Sequence, residues 1–235
     1  MKIDFVSDVA CPWCAIGLHA LERALQAIGG DIDIELSFQP FELNPDMGPE
    51  GEDTLAYLSA KYGRTVEQIR QTQAMIRERG AAVGFVFGPR DRVWNTFDAH
   101  RLLWWAGSVG ENPETSTSTG SGSGSGSGSA RLPGQQSALK ESLLAAYFNE
   151  GLDVSDHRVL AARATEVGLD TDQATEVLAS GTGTDEVRSE LADAMAHDVT
   201  AVPTFILDGR LAIPGAQDPA TIARHLARIA ASTTQ

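Results

Sequence analysis

Cysteine is scarce in this chain: two residues in 235. One pair cannot make a disulfide-rich scaffold or a four-thiolate zinc site. Long hydrophobic runs are missing as well. No stretch approaches the roughly 18 apolar residues needed to cross a bilayer, so no membrane span is expected. Positive charge is in deficit: 18 Lys and Arg against 32 Asp and Glu leave a formal charge of −14. An acidic surface of that size repels phosphate backbones, which disfavours nucleic acid as a partner. The N-terminus Met1-Lys2-Ile3-Asp4-Phe5 has no long apolar core and no small-residue cleavage site, so no signal peptide is read and a cytoplasmic protein is expected. What is present is an ordinary globular composition, 42% hydrophobic, in a length that suits one large domain or a domain with an insertion.

The pattern along the chain alternates in a definite way. Lys2 to Ser7 reads as a strand, followed by a helix with Leu18, Leu21, Leu25 and Ile28 on one face, ending at Gly29-Gly30. Ile32, Ile34, Leu36 and Phe38 alternate as in a half-buried strand. Helical signals then dominate. Thr65 and Gln68 form a capping box with Gly80 as the stop, and Asn95 caps a helix carrying Phe97, Leu103 and Trp104. Further helices are marked by Leu139, Leu143 and Tyr147, by Leu160, Ala164 and Val167, and by Val187, Leu191 and Met195. Strand character returns at Thr204 to Leu207, with Asp208-Gly209 as a two-residue turn into Arg210 to Ile213. Asp218 and Pro219 open a last helix whose buried face is Ile222, Leu226 and Ile229.

This order, β-α-β, a helical block, then β-β-α, predicts an α/β fold: an open sheet formed by residues 1–52 and 198–235, split by an all-helical insertion over 53–197. Neither flanking part could bury a core alone. Residues 111–134, with five uninterrupted Gly-Ser pairs from Gly120 to Ser129, have almost no apolar surface to bury and read as a flexible loop.

Both cysteines fall in Cys11-Pro12-Trp13-Cys14, where the first strand gives way to the first helix. Two intervening residues permit a local disulfide without a large backbone change. A helix start favours a thiolate at Cys11, and Pro12 fits the first turn because it has no N–H to waste there. Cys14, one turn deeper, would be the shielded resolving thiol. The bland alternatives are two unpaired core cysteines, or a zinc site lacking two ligands; His19, His100, His157, His197 and His225 are scattered and supply no paired His motif. No metal is expected. Val202-Pro203-Thr204-Phe205 marks a strand start. Asp8 is read as a solvated loop carboxylate, the alternative being a group that acts on the Cys11 proton. His100 is read as structural, Trp94, Trp104 and Trp105 as core rather than groove lining, and the acidic residues from Asp170 to Glu190 as a solvated face.

Cys11-Pro12-Trp13-Cys14 after a first strand, a helical insertion, and Val202-Pro203-Thr204-Phe205 before a hairpin together resemble the DsbA family of thioredoxin-fold oxidoreductases. The closer similarity is to its FrnE-like branch, through Phe38-Gln39-Pro40-Phe41-Glu42-Leu43-Asn44-Pro45 and Trp94-Asn95-Thr96-Phe97. The resemblance covers the chain except 111–134. It implies a thioredoxin fold in which Cys11 attacks, Cys14 resolves, and Pro203 is cis and lies against the pair. It also implies that Val202 meets the substrate, with Pro12 and Trp13 beside it. Ala201 departs from the glycine common in relatives. Disulfide exchange with protein or small-molecule thiol substrates follows, with no metal or organic cofactor, glutathione as a candidate redox partner, and either a monomer or a homodimer. Two rivals share parts of the pattern. Glutathione-dependent isomerases or transferases of the hydroxychromene-carboxylate isomerase and kappa-class type have the same layout but typically lack the second cysteine. A binding scaffold would use the Gly/Ser loop to present a peptide.

Overall fold

Alternation in residues 2–7 produces β1 (Lys2–Ser7), whose Ile3 and Phe5 are fully buried. The computed structural model describes residues 1–29, 33–110, 132, 134–197 and 199–233. The Gly-Ser tract, most of 111–134, and Ile32 therefore lie outside the described residues. α1 (Pro12–Ile28) begins at a proline and stops at Gly29, whose φ of 76° suits a residue without a side chain. β2 (Glu35–Pro40) starts three residues after Ile32 and pairs parallel to β1, Phe5 opposite Phe38. Near the other end of the chain, β5 (Thr204–Leu207) and β6 (Leu211–Pro214) form a hairpin, and β5 runs antiparallel to β1. The four-strand order is β2-β1-β5-β6, so β1 is central and its C-terminal end delivers the cysteine loop.

The hairpin turn differs slightly from expectation. Asp208 and Gly209 both adopt left-handed φ, 49° and 64°, and the strand resumes at Leu211 rather than Arg210. Asp208 tolerates this conformation while its carboxylate accepts from the Lys2 N–H at 2.7 Å, tying the turn to β1. α9 (Pro219–Thr233) is capped by Asp218, whose Oδ1 accepts from Thr221 N–H at 2.9 Å. Ile222 and Leu226 bury its inner face, and α9 packs on α1.

Between β2 and β5 lie α2 (Thr54–Tyr62), α3 (Val66–Val83), α4 (Phe97–Gly110), α5 (Gln135–Phe148), α6 (His157–Glu166), α7 (Thr171–Ser180) and α8 (Thr184–Ala196). The Thr65–Gln68 capping box is formed. Gly80, however, does not end α3. The helix continues to Val83 and is capped by Gly84 at φ 91°, while Gly80 stays helical beneath Phe87, whose ring occupies the space a side chain would need. Asn95 does act at the start of α4, accepting from Phe97 N–H at 2.8 Å. On α8 only Val187 of the expected face is buried, and Met195 is exposed. The segment is also not purely helical. β3 (Glu52–Asp53) and β4 (Arg92–Val93) pair as a two-residue ladder, too short for any period-2 signal to reveal. This clip fixes the start of α2 against the chain that leaves α3. A single hydrophobic cluster runs from Phe5, Cys14 and Leu18 through Leu102 to Leu143, Tyr147 and Leu226, so sheet and helices share one core.

Candidate active site

The loop after β1 is shaped by Asp8. Its Oδ1 accepts from Ala10 N–H at 3.1 Å and lies 3.4 Å from His100 Nε2, while Oδ2 accepts from Leu43 N–H at 2.7 Å. The side chain is fully buried, so the reading of a solvated carboxylate is wrong. Partners 35 and 92 residues away bury it, and nothing local in the sequence announces them. Burial pushes the Asp8 carboxyl up, but the His100 ring and the two backbone N–H groups together hold it below its usual range. Burial also lowers His100, with Asp8 opposing, so the ring is neutral at neutral pH and the contact is a hydrogen bond rather than an ion pair. Asp8 thereby pins the cysteine loop to α4 and to the segment leaving β2.

Cys11 occupies the N-cap of α1 in an extended conformation, φ −93° and ψ 112°, with Pro12 at the first helical position. Its backbone carbonyl receives Cys14 N–H at 3.0 Å. Both thiols are free, and Cys14 is fully buried one turn inward. The Val202–Pro203 peptide bond is cis, and the Cys11 thiol donates to the Val202 carbonyl oxygen at 3.6 Å. Pro203 lies over α1 at Gly17, where a Cβ would sit 3.0 Å from Pro203 Cγ. The structure thus brings Cys11, Cys14, Val202 and Pro203 together, with Pro12 and Trp13 half-exposed beside them.

Burial, reinforced by the neighbouring Cys11 sulfur, pushes the Cys14 thiol well above its ordinary value, and Lys140 on α5 opposes the shift. Lys140 is fully buried and its Nζ has no hydrogen-bond partner among the described residues; it lies over the Phe38 ring, 5.9 Å from the centroid. Burial lowers this amine, while Cys14, Asp8 and Cys11 draw it back up. Sequence reasoning missed Lys140, although its position three and four residues before buried Leu143 and Leu144 placed it on the apolar face of its helix. Glu42, beside Asp8, is pushed up to about 7, chiefly by burial and then by the Asp8 charge.

Cys11, Pro12 and Trp13 open onto a groove of about 680 Å³, bounded by Thr200 to Val202 on one side and by α2 and α3 on the other. Its apolar wall includes Leu58, Ile69, Ile76 and Phe87. Trp94, Trp104 and Trp105 are not part of it. Trp105 is in the core and the other two pack against it. Among the described residues, no three His, Cys, Asp or Glu side chains gather as a metal site would need, and no helix is long and apolar enough to cross a membrane.

Comparison with known proteins places these features in a family context. The DSBA-like thioredoxin domain matches residues 2–118 and 128–227. A probable DsbA oxidoreductase from Streptomyces coelicolor has a crystal structure that superposes with a TM-score of 0.81 at 30% identity, covering 97% of this chain and 89% of the other. The uncharacterised protein YwbO of Bacillus subtilis is 28% identical over 219 residues, 92% of this chain and 90% of its own. The cytosolic disulfide reductase DsbM of Pseudomonas aeruginosa, solved with GSH, shares the fold at a TM-score of 0.60 and 17% identity, over 97% and 98% of the two chains.

Proposed function

Because this chain belongs to the DSBA-like thioredoxin domain family, we propose that it is a thiol–disulfide oxidoreductase working through Cys11 and Cys14. The observation that carries the reading is the asymmetry of the pair. Cys11, only 3% exposed, stands at a helix N-cap and lines the groove, while Cys14, with no exposure, lies one turn behind it and is not a lining residue. In the reducing direction the Cys11 thiolate attacks one sulfur of a substrate disulfide. A mixed disulfide forms and the other substrate sulfur leaves as a thiolate. Cys14 then loses its proton and attacks Cys11 Sγ. The second substrate sulfur is released, and the Cys11–Cys14 disulfide takes up the oxidation of the substrate. Run backwards, the same steps donate a disulfide. Neither direction uses a metal or an organic cofactor.

Protein disulfides and small thiols are both candidate substrates. Glutathione is a reasonable redox partner on the strength of the DsbM neighbour solved with GSH. That neighbour also supports a cytosolic role. Retention of both cysteines favours redox exchange over an isomerase that needs only one.

The test is equilibration of the protein against a graded series of reduced and oxidised glutathione, reading the fraction of Cys11–Cys14 disulfide by alkylation and mass. A single two-electron transition with no free-thiol intermediate supports the assignment. Failure of the pair to oxidise under any poise overturns it.

A further inference from the structure

Charge in this molecule is distributed against its composition. The chain as a whole is at −14. Yet the groove beside Cys11 is lined by Lys61, Arg64, Arg70, Arg77 and Arg90, against two carboxylates, Asp53 and Asp91. One of those carboxylates is already engaged, since Asp53 caps α2 by accepting from Ala56 N–H at 2.8 Å. Among the described residues, ion pairs form elsewhere and none involves these five cations. Lys61 donates to the Leu43 carbonyl and to Asn44 Oδ1, and Arg64 lies 3.4 Å from Thr72 Oγ1, all neutral acceptors. Arg90 lies over the Tyr147 and Phe148 rings. Among the described residues, the groove cations thus have no carboxylate ion-pair partner, in a protein with 32 acidic side chains.

Apolar side chains line the same groove, with Leu58, Ile69, Ile76 and Phe87 forming its wall beside the cations. Five large hydrophobic side chains are exposed among the described residues, and four of them, Tyr62, Val66, Met75 and Val86, belong to α2, α3 or the segment after α3. Of these four, Tyr62 lines the groove. An acidic polypeptide can set carboxylates against the cations and apolar side chains against that wall at once.

We propose that the cationic groove beside Cys11 selects disulfides carried on acidic polypeptide segments, whose carboxylates meet Arg70, Arg77 and their neighbours while the bonded sulfur reaches Cys11. This deepens the exchange reading above and rests on it. The selection works mainly on encounter. Like-charge repulsion from a chain at −14 would otherwise slow such a substrate, and a groove of opposite sign focuses it on the one place where reaction occurs.

The experiment uses the reduced full chain and two synthetic peptides that differ only in the residues flanking an internal disulfide, glutamates in one and lysines in the other. Oxidised glutathione is the third substrate. At low salt the acidic peptide should exchange faster by about tenfold or more, and the advantage should collapse near 0.5 M salt, where the Debye length falls to about 4 Å. The Arg70→Glu/Arg77→Glu double variant should abolish or invert the ratio of the two peptide rates. Misfolding would slow both peptides alike, so the ratio isolates the charge effect. Equal rates for the two peptides would overturn the inference and leave disulfide exchange standing. Charge-reversal sensitivity confined to glutathione disulfide would also overturn it, assigning the groove to a small thiol. If no substrate exchanges and a Cys14→Ser variant traps none of them, the exchange reading fails along with it.

Discussion

The Cys11 thiol lies 3.6 Å from the carbonyl oxygen of Val202, a residue 191 positions away in the chain. That contact joins the end of β1 to the start of β5, two strands that pair antiparallel at the centre of the sheet. It places the first cysteine between a helix start and a strand-entry loop, and the groove opens where the two meet.

Gly17 controls how closely α1 approaches this loop. A Cβ there would be 3.0 Å from Pro203 Cγ and 3.5 Å from Phe205 Cζ. Gly17→Ala should be nearly neutral, because the helix gains about 0.5–1 kcal/mol from losing a glycine while Pro203 must shift by a few tenths of an ångström. Gly17→Leu should cost about 1–3 kcal/mol by overpacking and slow exchange by moving Val202 away from Cys11. Urea unfolding with exchange kinetics checks both. Unchanged stability in the leucine variant would contradict the packing described.

The two cysteines should react unequally. Cys14 is fully buried and its thiol is pushed well up, so at neutral pH it stays protonated and shielded. Iodoacetamide at pH 7 should label Cys11 first by a wide margin, read by peptide mass mapping. Cys14→Ser should accumulate mixed disulfides that dithiothreitol dissolves, and Cys11→Ser should not. Faster labelling of Cys14 would reverse the assigned roles.

Lys140 should assist the second step without touching substrate. Its charge opposes the upward shift of Cys14, so Lys140→Met should push that thiol higher and lengthen the life of the mixed disulfide. The slowing should be greatest near neutral pH and shrink as pH rises, a dependence that a purely structural role would not produce. Folding stability should hold or increase, because methionine of similar length replaces an unpartnered buried amine. Unaltered resolution kinetics across pH would remove Lys140 from the mechanism.

Two groups beside the cysteine loop should act oppositely on stability as pH changes. His100 faces Asp8 and Lys140 and is held below its ordinary value of about 6.5. As pH falls below that value the unfolded chain takes a proton that the folded chain refuses, so stability is lost. The difference between wild type and His100→Gln should therefore shrink between pH 8 and pH 5. Glu42 faces Asp8, Asp46 and Arg188 and is raised to about 7. Between its unfolded value of about 4.3 and 7 the folded chain keeps a proton that the unfolded chain has lost, so stability falls as pH rises. Glu42→Gln should gain in melting temperature relative to wild type more at pH 8 than at pH 5. Parallel thermal scans decide both signs.

Local sequence determined a good deal of this protein. The Cys-Pro-Trp-Cys run at a strand–helix junction, the Thr65–Gln68 box, the Asp208-Gly209 turn and the Asp218-Pro219 helix start each act through neighbours within four residues, and each is present in the fold. Alternation located β2, where Leu36 packs against the core and Phe38 is buried in it, and the two-residue turn located the β5–β6 hairpin. Tertiary structure alone decided the rest. Asp8 is a buried brace because Leu43 and His100 arrive from distant segments. Gly80 stays helical because Phe87 folds over it. The β3–β4 clip is two residues long and joins segments about forty positions apart, so no local pattern could announce it. The groove cations come from α2, the turn into α3, α3 itself and the chain that follows, and only packing gathers them in one groove with Cys11. Charge and burial at a site depend on what converges there, and convergence is set by contacts that have no fixed spacing in sequence.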